Sequence, residues 1–186
     1  MASSQFAHAQ SQDTVSIQTT KEITEIGASL IKSSIESGDF DGAKKYSKFT
    51  TDYYSHQIDD LRQSQVEFTD DLHLLLVDIH SKIENNVQPQ NIISDIVSAE
   101  QYFDKFPNSQ QTPFVVSNLL TTADESYQIA ISENDHEQYV IATSLVDRAN
   151  ELFGSDASFD ERQTGELESF FSDLKSQISD RSEEHT

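Results

Sequence analysis

Apolar residues recur along this chain at intervals of three and four, in blocks separated by short polar breaks. That period belongs to amphipathic helices. Ile23, Ile26, Leu30, Ile31 and Ile35 predict a first helix over about 20–37. Ala43, Tyr46, Phe49, Tyr53 and Leu61 predict a second over 41–62, and Phe68, Leu72, Leu75, Leu76, Ile79 and Ile83 a third over 65–86. Gly38-Asp39-Phe40-Asp41-Gly42 separates the first two, because glycine tolerates left-handed backbone and aspartate accepts bonds from the free N–H groups of the next helix. Ser64-x-x-Glu67 reads as a capping box opening the third near residue 65. A connecting helix over 90–105 is expected to bury Ile92, Ile93, Ile96, Val97 and Phe103. Pro107 and Pro113 bracket a polar loop. Beyond it, helices are expected near 114–133, 136–153 and 159–180, with Asp135-x-x-Gln138 and Ser158-x-x-Glu161 as caps. Strand-like alternation with hairpin turns is missing, so the expected fold class is all-α, a bundle of about seven helices.

The blocks also repeat. Leu72, Leu75, Leu76, Asp78, Ile79, Ser81 and Ile83 recur about 95 residues later as Leu167, Phe170, Phe171, Asp173, Leu174, Ser176 and Ile178. Ile35-Glu36-Ser37-Gly38-Asp39, ahead of Ala43, Tyr46 and Phe49, matches Ile131-Ser132-Glu133-Asn134-Asp135, ahead of Tyr139, Ala142 and Leu145. A shared order of core, turn and second core predicts two related three-helix units. The expected organisation is a disordered tail over 1–18, a first unit with its connecting helix over 19–106, a linker over 107–113, a second unit over 114–180 and a disordered tail over 181–186.

Composition narrows the function classes. The 186 residues can bury a core without staples, and the absence of cysteine removes thiolate catalysis, zinc-thiolate sites and iron–sulfur clusters. Thirty-three acidic residues against 12 basic ones give a formal charge of −21, which repels nucleic acid and anionic lipid and favours cations or basic protein partners. Such an excess is also a common solubility device, or a habit of proteins from saline surroundings. No run reaches the roughly 20 apolar residues that span a bilayer, so direct membrane insertion is not expected. Ala7-His8-Ala9 has the small-x-small form of a signal-peptidase site, which is consistent with a processed export signal or with an ordinary polar tail.

Enzyme signatures are missing: there is no H-E-x-x-H, no G-x-S-x-G and no glycine-rich phosphate loop. Glu-x-x-His occurs once, as Glu133 and His136 at an expected turn, which is too little for a di-iron bundle. The best candidate metal ligands are Asp70, His73 and His80, along one side of the third helix. The two histidines stand about 10 Å apart by helical rise, so one ion needs ligands from a second helix; Asp52 and His56 on the second helix are placed to supply them. The corresponding second-unit positions are Glu168 and Lys175, so such a site is not duplicated. Surface histidines with no ligand role give the same spacing.

Ser37-Gly38-Asp39-Phe40-Asp41-Gly42-Ala43, followed by Thr51-Asp52-Tyr53-Tyr54-Ser55-His56-Gln57-Ile58-Asp59, resembles the extracytoplasmic helical region associated with high-affinity iron permeases. Ala123-Asp124-Glu125-Ser126-Tyr127 through Val146-Asp147-Arg148-Ala149-Asn150-Glu151-Leu152-Phe153 is similar to the second helical hairpin of such regions in archaeal envelope proteins. The resemblance implies an exported helical module at a cell surface, presenting metal ions to a membrane partner. The permease's Arg-Glu-x-x-Glu motif is absent, the nearest text being Lys21-Glu22-Ile23-Thr24-Glu25, so transport itself does not carry over.

Two functions from different classes are therefore expected. The first is a non-enzymatic, secreted or envelope protein-interaction module that binds a protein partner through its acidic surface. The second is a metal-binding accessory protein for a membrane transporter, holding an iron, copper or other divalent ion through Asp52, His56, Asp70, His73 and His80. A cytoplasmic location is the alternative to export.

Overall fold

The computed structural model describes residues 3–64, 66–107 and 112–155 and the helical residues 169, 171, 172, 174–176 and 178, with side chains from Thr14 onward. The protein is all-α, and no strand occurs among the described residues. Six helices are described in full: α1 (Ser3–Ser37), α2 (Phe40–Gln63), α3 (Thr69–Glu84), α4 (Pro89–Phe103), α5 (Thr112–Glu133) and α6 (His136–Ser155). None of them is long and apolar enough to cross a membrane. The chain divides into two compact units, residues 1–109 and 110–186.

In the first unit α1 packs on α2 and α4, and α3 packs on α2 and α4, closing a ring of four helices. Each helix turns one stripe inward: Ile23, Ile31 and Ile35; Ala43, Tyr46, Tyr54 and Leu61; Leu72, Leu76, Ile79 and Ile83; Ile92, Ile96, Ala99 and Phe103. The segment expected as a connector, α4, is thus a full wall of this bundle. Val97 and Ile93, expected in its core, lie on the outward side, Val97 exposed and Ile93 half-buried. α1 and α2 cross closely where Gly27 lies against Thr50, whose hydroxyl a Cβ would overlap.

The α1–α2 turn is a Schellman motif. Gly38, at φ 81°, donates to Ile35 O at 3.2 Å, and Asp39 N donates to Ser34 O at 2.8 Å. Asp39 Oδ1 then accepts from Gly42 N at 2.9 Å and caps α2. Asn86, at φ 52°, ends α3 with the same bonds: its N–H reaches Ile83 O, and Val87 N reaches Lys82 O. Asn134, at φ 53°, follows α5, with Asp135 N donating to Ala130 O at 3.1 Å. Asp135 Oδ1 accepts from Glu137 N and Gln138 N and caps α6. Only half of the expected box forms there, since Gln138 Oε1 is buried without a hydrogen-bond partner among the described residues.

Two local expectations give way. The helix expected from about residue 20 begins at Ser3, and Val15, Ile17, Gln18, Thr19 and Thr20 are buried. A polar text can do this because its hydroxyls bond back into the helix: Thr19 Oγ1 donates to Val15 O, Thr20 Oγ1 to Ser16 O and Thr24 Oγ1 to Thr20 O, at 2.7–2.9 Å. The capping box at Ser64 and Glu67 does not form either. Ser64 ends α2, its N–H donating to Asp60 O, and α3 begins only at Thr69. The residue before α3, Phe68, makes no side-chain cap; its ring packs on Phe106 and Tyr102 at 4.9 and 5.5 Å, so aromatic packing holds this turn.

In the second unit α5 packs on α6. α5 buries one stripe, Val115, Leu119, Ala123, Ser126 and Ala130, whereas α6 buries two, with Tyr139, Ala142, Val146, Ala149 and Phe153 beside Ile141 and Leu145. Described helical residues further along also meet α6: Phe171 lies 6.0 Å from Phe153, and Lys175 pairs with Asp147. The expected cap at Ser158 and Glu161, and Glu168 with it, lie outside the described residues.

Candidate binding face

The five candidate ligands all belong to α2 and α3; His73 and His80 lie at the seam of those helices, and Asp52 and His56 lie on the exposed side of α2. His80 Nδ1 lies 2.8 Å from Ser47 Oγ, and His73 Nε2 lies 3.0 Å from Ser55 Oγ. Both serine hydroxyls donate their one proton to α2 carbonyls, Ser47 to Lys44 O and Ser55 to Thr51 O. Each serine hydroxyl thus stands between a histidine nitrogen of α3 and a backbone carbonyl of α2. The His73 ring also stacks on Tyr54, with centroids 6.3 Å apart. His56 Nδ1 donates to Asp52 O on its own helix, at 2.7 Å. Asp52 pairs with Lys48, and Asp70 accepts from Arg62 at 2.6 and 3.1 Å.

Each candidate is thus engaged by a protein group. Among the described residues, no three His, Asp or Glu side chains are grouped so as to hold a metal ion. What the five residues share is a pair of neighbouring helices, α2 and α3, not one point.

Charge on the surface of the first bundle is unevenly divided. Three cations bridge the helices of the first bundle: Lys32 reaches Glu100 from α1 to α4 at 3.1 Å, Arg62 reaches Asp70 from α2 to α3, and Lys82 reaches Asp95 from α3 to α4 at 2.7 Å. Lys82 also holds Asp78 at 2.6 Å, and these two carboxylates raise its ammonium pKa above the usual lysine value. Asp70, and after it Asp59, likewise raises the Arg62 guanidinium. With the cations committed in this way, Asp60, Glu67 and Asp71 at the α2–α3 corner are exposed and make no ion pair among the described residues. Inside the corner, Tyr54 is fully buried, its hydroxyl donating to Thr69 O at 3.2 Å, and burial raises its phenol pKa well above the ordinary value.

Two features escape sequence reasoning. The bridging roles of Lys32, Arg62 and Lys82 depend on which helices become neighbours. Leu74 and Val77, inside the run Leu74-Leu75-Leu76-Val77, are 66% and 41% exposed on α3, opposite its buried stripe. Four consecutive apolar residues point in all directions around a helix, so the run itself signals that some must face outward. Elsewhere in this bundle, Glu25, Ser29, Glu100, Phe103 and Asp104 line a polar pocket of about 360 Å³ beside Lys32. Comparison of the chain with family models, with curated proteins and with solved structures gives no match, so the likeness to the iron-permease region rests on the quoted sequence motifs alone.

Proposed function

We propose that this protein is a non-enzymatic interaction module, exported to the cell envelope, that binds a basic protein partner through its acidic helical surface. The observation that carries this reading is the division of charge in the first bundle. Lys32, Arg62 and Lys82 are drawn into bridges between helices, leaving an outward surface of uncompensated carboxylates such as Asp60, Glu67 and Asp71. A net charge of −21 attracts a cationic partner over long range and orients its approach. Export follows from the resemblance to extracytoplasmic helical regions.

We also read the two units as related. The Gly38-Asp39 and Asn134-Asp135 turns share left-handed backbone, the closing bond to Ser34 O or Ala130 O and an aspartate cap on the next helix. Buried Ala43 and Tyr46 answer to buried Tyr139 and Ala142, exchanging a large and a small side chain within one stripe.

The test is crosslinking in the cells that make the protein, with identification of the bound chain, followed by affinity measurements on the purified pair across ionic strength. A cell-surface partner with a basic face, whose affinity falls steeply between about 0.01 and 0.15 M salt, is expected. A cytoplasmic partner removes the export part of the reading. A neutral or acidic partner with salt-independent affinity overturns the rest.

A further inference from the structure

Resting on that reading, we propose that the outward face of α3 is the docking surface and that its occupant is an amphipathic helix whose apolar stripe is flanked by lysine or arginine. At 100° per residue, Leu74, Val77 and Ser81 fall within one outward sector of α3 together with Asp70, and Asp71 and Asp78 lie along the edge of that sector nearer α4. Every large apolar residue in the opposite sector, Leu72, Leu76, Ile79 and Ile83, is at most 2% exposed. Leu74 is 66% exposed and stands one turn from Val77. An adjacent pair of outward apolar side chains with carboxylates beside it is the complement of a basic amphipathic helix, which docks through apolar anchors at three- and four-residue spacing.

Charge selects this occupant over a second copy of the chain. Packing α3 on its own copy would bring two sets of Asp70, Asp71 and Asp78 into one interface, with Arg62 and Lys82 already held by Asp59, Asp70, Asp78 and Asp95. Two apolar side chains also fall far short of the about 800 Å² per partner that a specific interface covers. The remaining contact must come from the neighbouring polar surface of α2, where Asp52, His56 and Ser55 are exposed. A partner that covers this surface gains most by being cationic.

The experiment is fluorescence anisotropy with the full chain and a labelled synthetic helix of leucine, lysine and alanine, about five turns long, carrying one leucine stripe flanked by lysines. The variants are Leu74→Ser with Val77→Ser, both exposed and outside the core, and Phe114→Ser, which removes an exposed side chain of the second unit. Saturable binding weakened about tenfold or more by the α3 pair, and unchanged by Phe114→Ser, is the expected result. Equal binding to the wild type and the α3 pair, lost in salt, overturns α3 as the dock while leaving the acidic-surface reading in place. No binding of the basic helix even at low salt overturns both. Circular dichroism of each variant confirms that the comparison is between folded proteins.

Discussion

Three of the described residues occupy left-handed backbone, and they differ in how much they cost. Gly38, at φ 81°, has nothing within 4 Å of where a Cβ would stand, so its constraint is conformational and not steric. Asn86 and Asn134 hold the same kind of position at φ 52° and 53°. Gly38→Asn should therefore stay within about 1 kcal/mol of the wild type, whereas Gly38→Val should lose about 1–2 kcal/mol, measured by urea unfolding. Gly27 is the reverse case, helical but crowded. Gly27→Ala forces its methyl into the Thr50 hydroxyl, and overpacking at this buried crossing should cost about 1–3 kcal/mol. Thr50→Ala, made in the Gly27→Ala background, should recover part of that loss; strictly additive effects would mean that the two side chains do not meet. Tyr54 adds a pH dependence. Burial raises its folded pKa above the unfolded value near 10, so its contribution is intact below about pH 10 and lost above it, by up to about 1.4 kcal/mol per pH unit. Tyr54→Phe gives up the bond to Thr69 O, about 1 kcal/mol at neutral pH, and should flatten the alkaline decline relative to the wild type. Identical slopes above about pH 10 would show that other groups dominate.

The helices are legible in the sequence where the turn chemistry and the periodic stripe agree. Gly38-Asp39 is such a place: the glycine supplies the left-handed closure and the aspartate the cap, so both the end of α1 and the start of α2 can be read directly. Asp39→Ala and Asp135→Ala should each destabilise by about 1 kcal/mol. Ser64 and Glu67 carry an equally good capping text yet form no cap, because Leu61 anchors the end of α2 in the core and Phe68 packs on Tyr102 and Phe106 before α3 begins. Ser64→Ala and Glu67→Ala should accordingly change stability by less than about 0.5 kcal/mol, and a loss as large as that of Asp39→Ala would restore the box. The start of α1 was illegible for a different reason. Threonine reads as a helix-averse residue, but when its hydroxyl bonds to the carbonyl four residues back it can be buried, and nothing in the text of residues 14–24 announces that choice. The candidate site was half legible. Helical spacing brought Asp52, His56, Asp70, His73 and His80 to one pair of helices, but Ser47 and Ser55 take up the histidines, and two serines eight residues apart carry no motif.

For the whole molecule, the deciding quantity is the net charge of −21. At about 0.01 M ionic strength the Debye length is roughly 30 Å, comparable to the length of a 20-residue helix, so carboxylates on all faces of a bundle repel one another; at 0.15 M it is about 8 Å, and only neighbours do. Salt also weakens the bridges made by Lys32, Arg62 and Lys82, but these lie at exposed or partly exposed positions, where such pairs contribute little. Repulsion among 33 acidic residues outweighs them. The thermal midpoint should rise with sodium chloride over this range, by about 2–4 °C for each kcal/mol of repulsion screened. Replacing Asp60, Glu67 and Asp71 by their amides, which breaks no ion pair among the described residues, should raise the low-salt midpoint and flatten its salt dependence. A low-salt midpoint unmoved by the triple change would mean that the corner carboxylates are too well hydrated to feel one another. The same charges set the energetics of binding. A cationic partner neutralises them locally, so its stabilising effect should be largest at low salt, where the free protein is weakest, and should fade as salt takes over the partner's role.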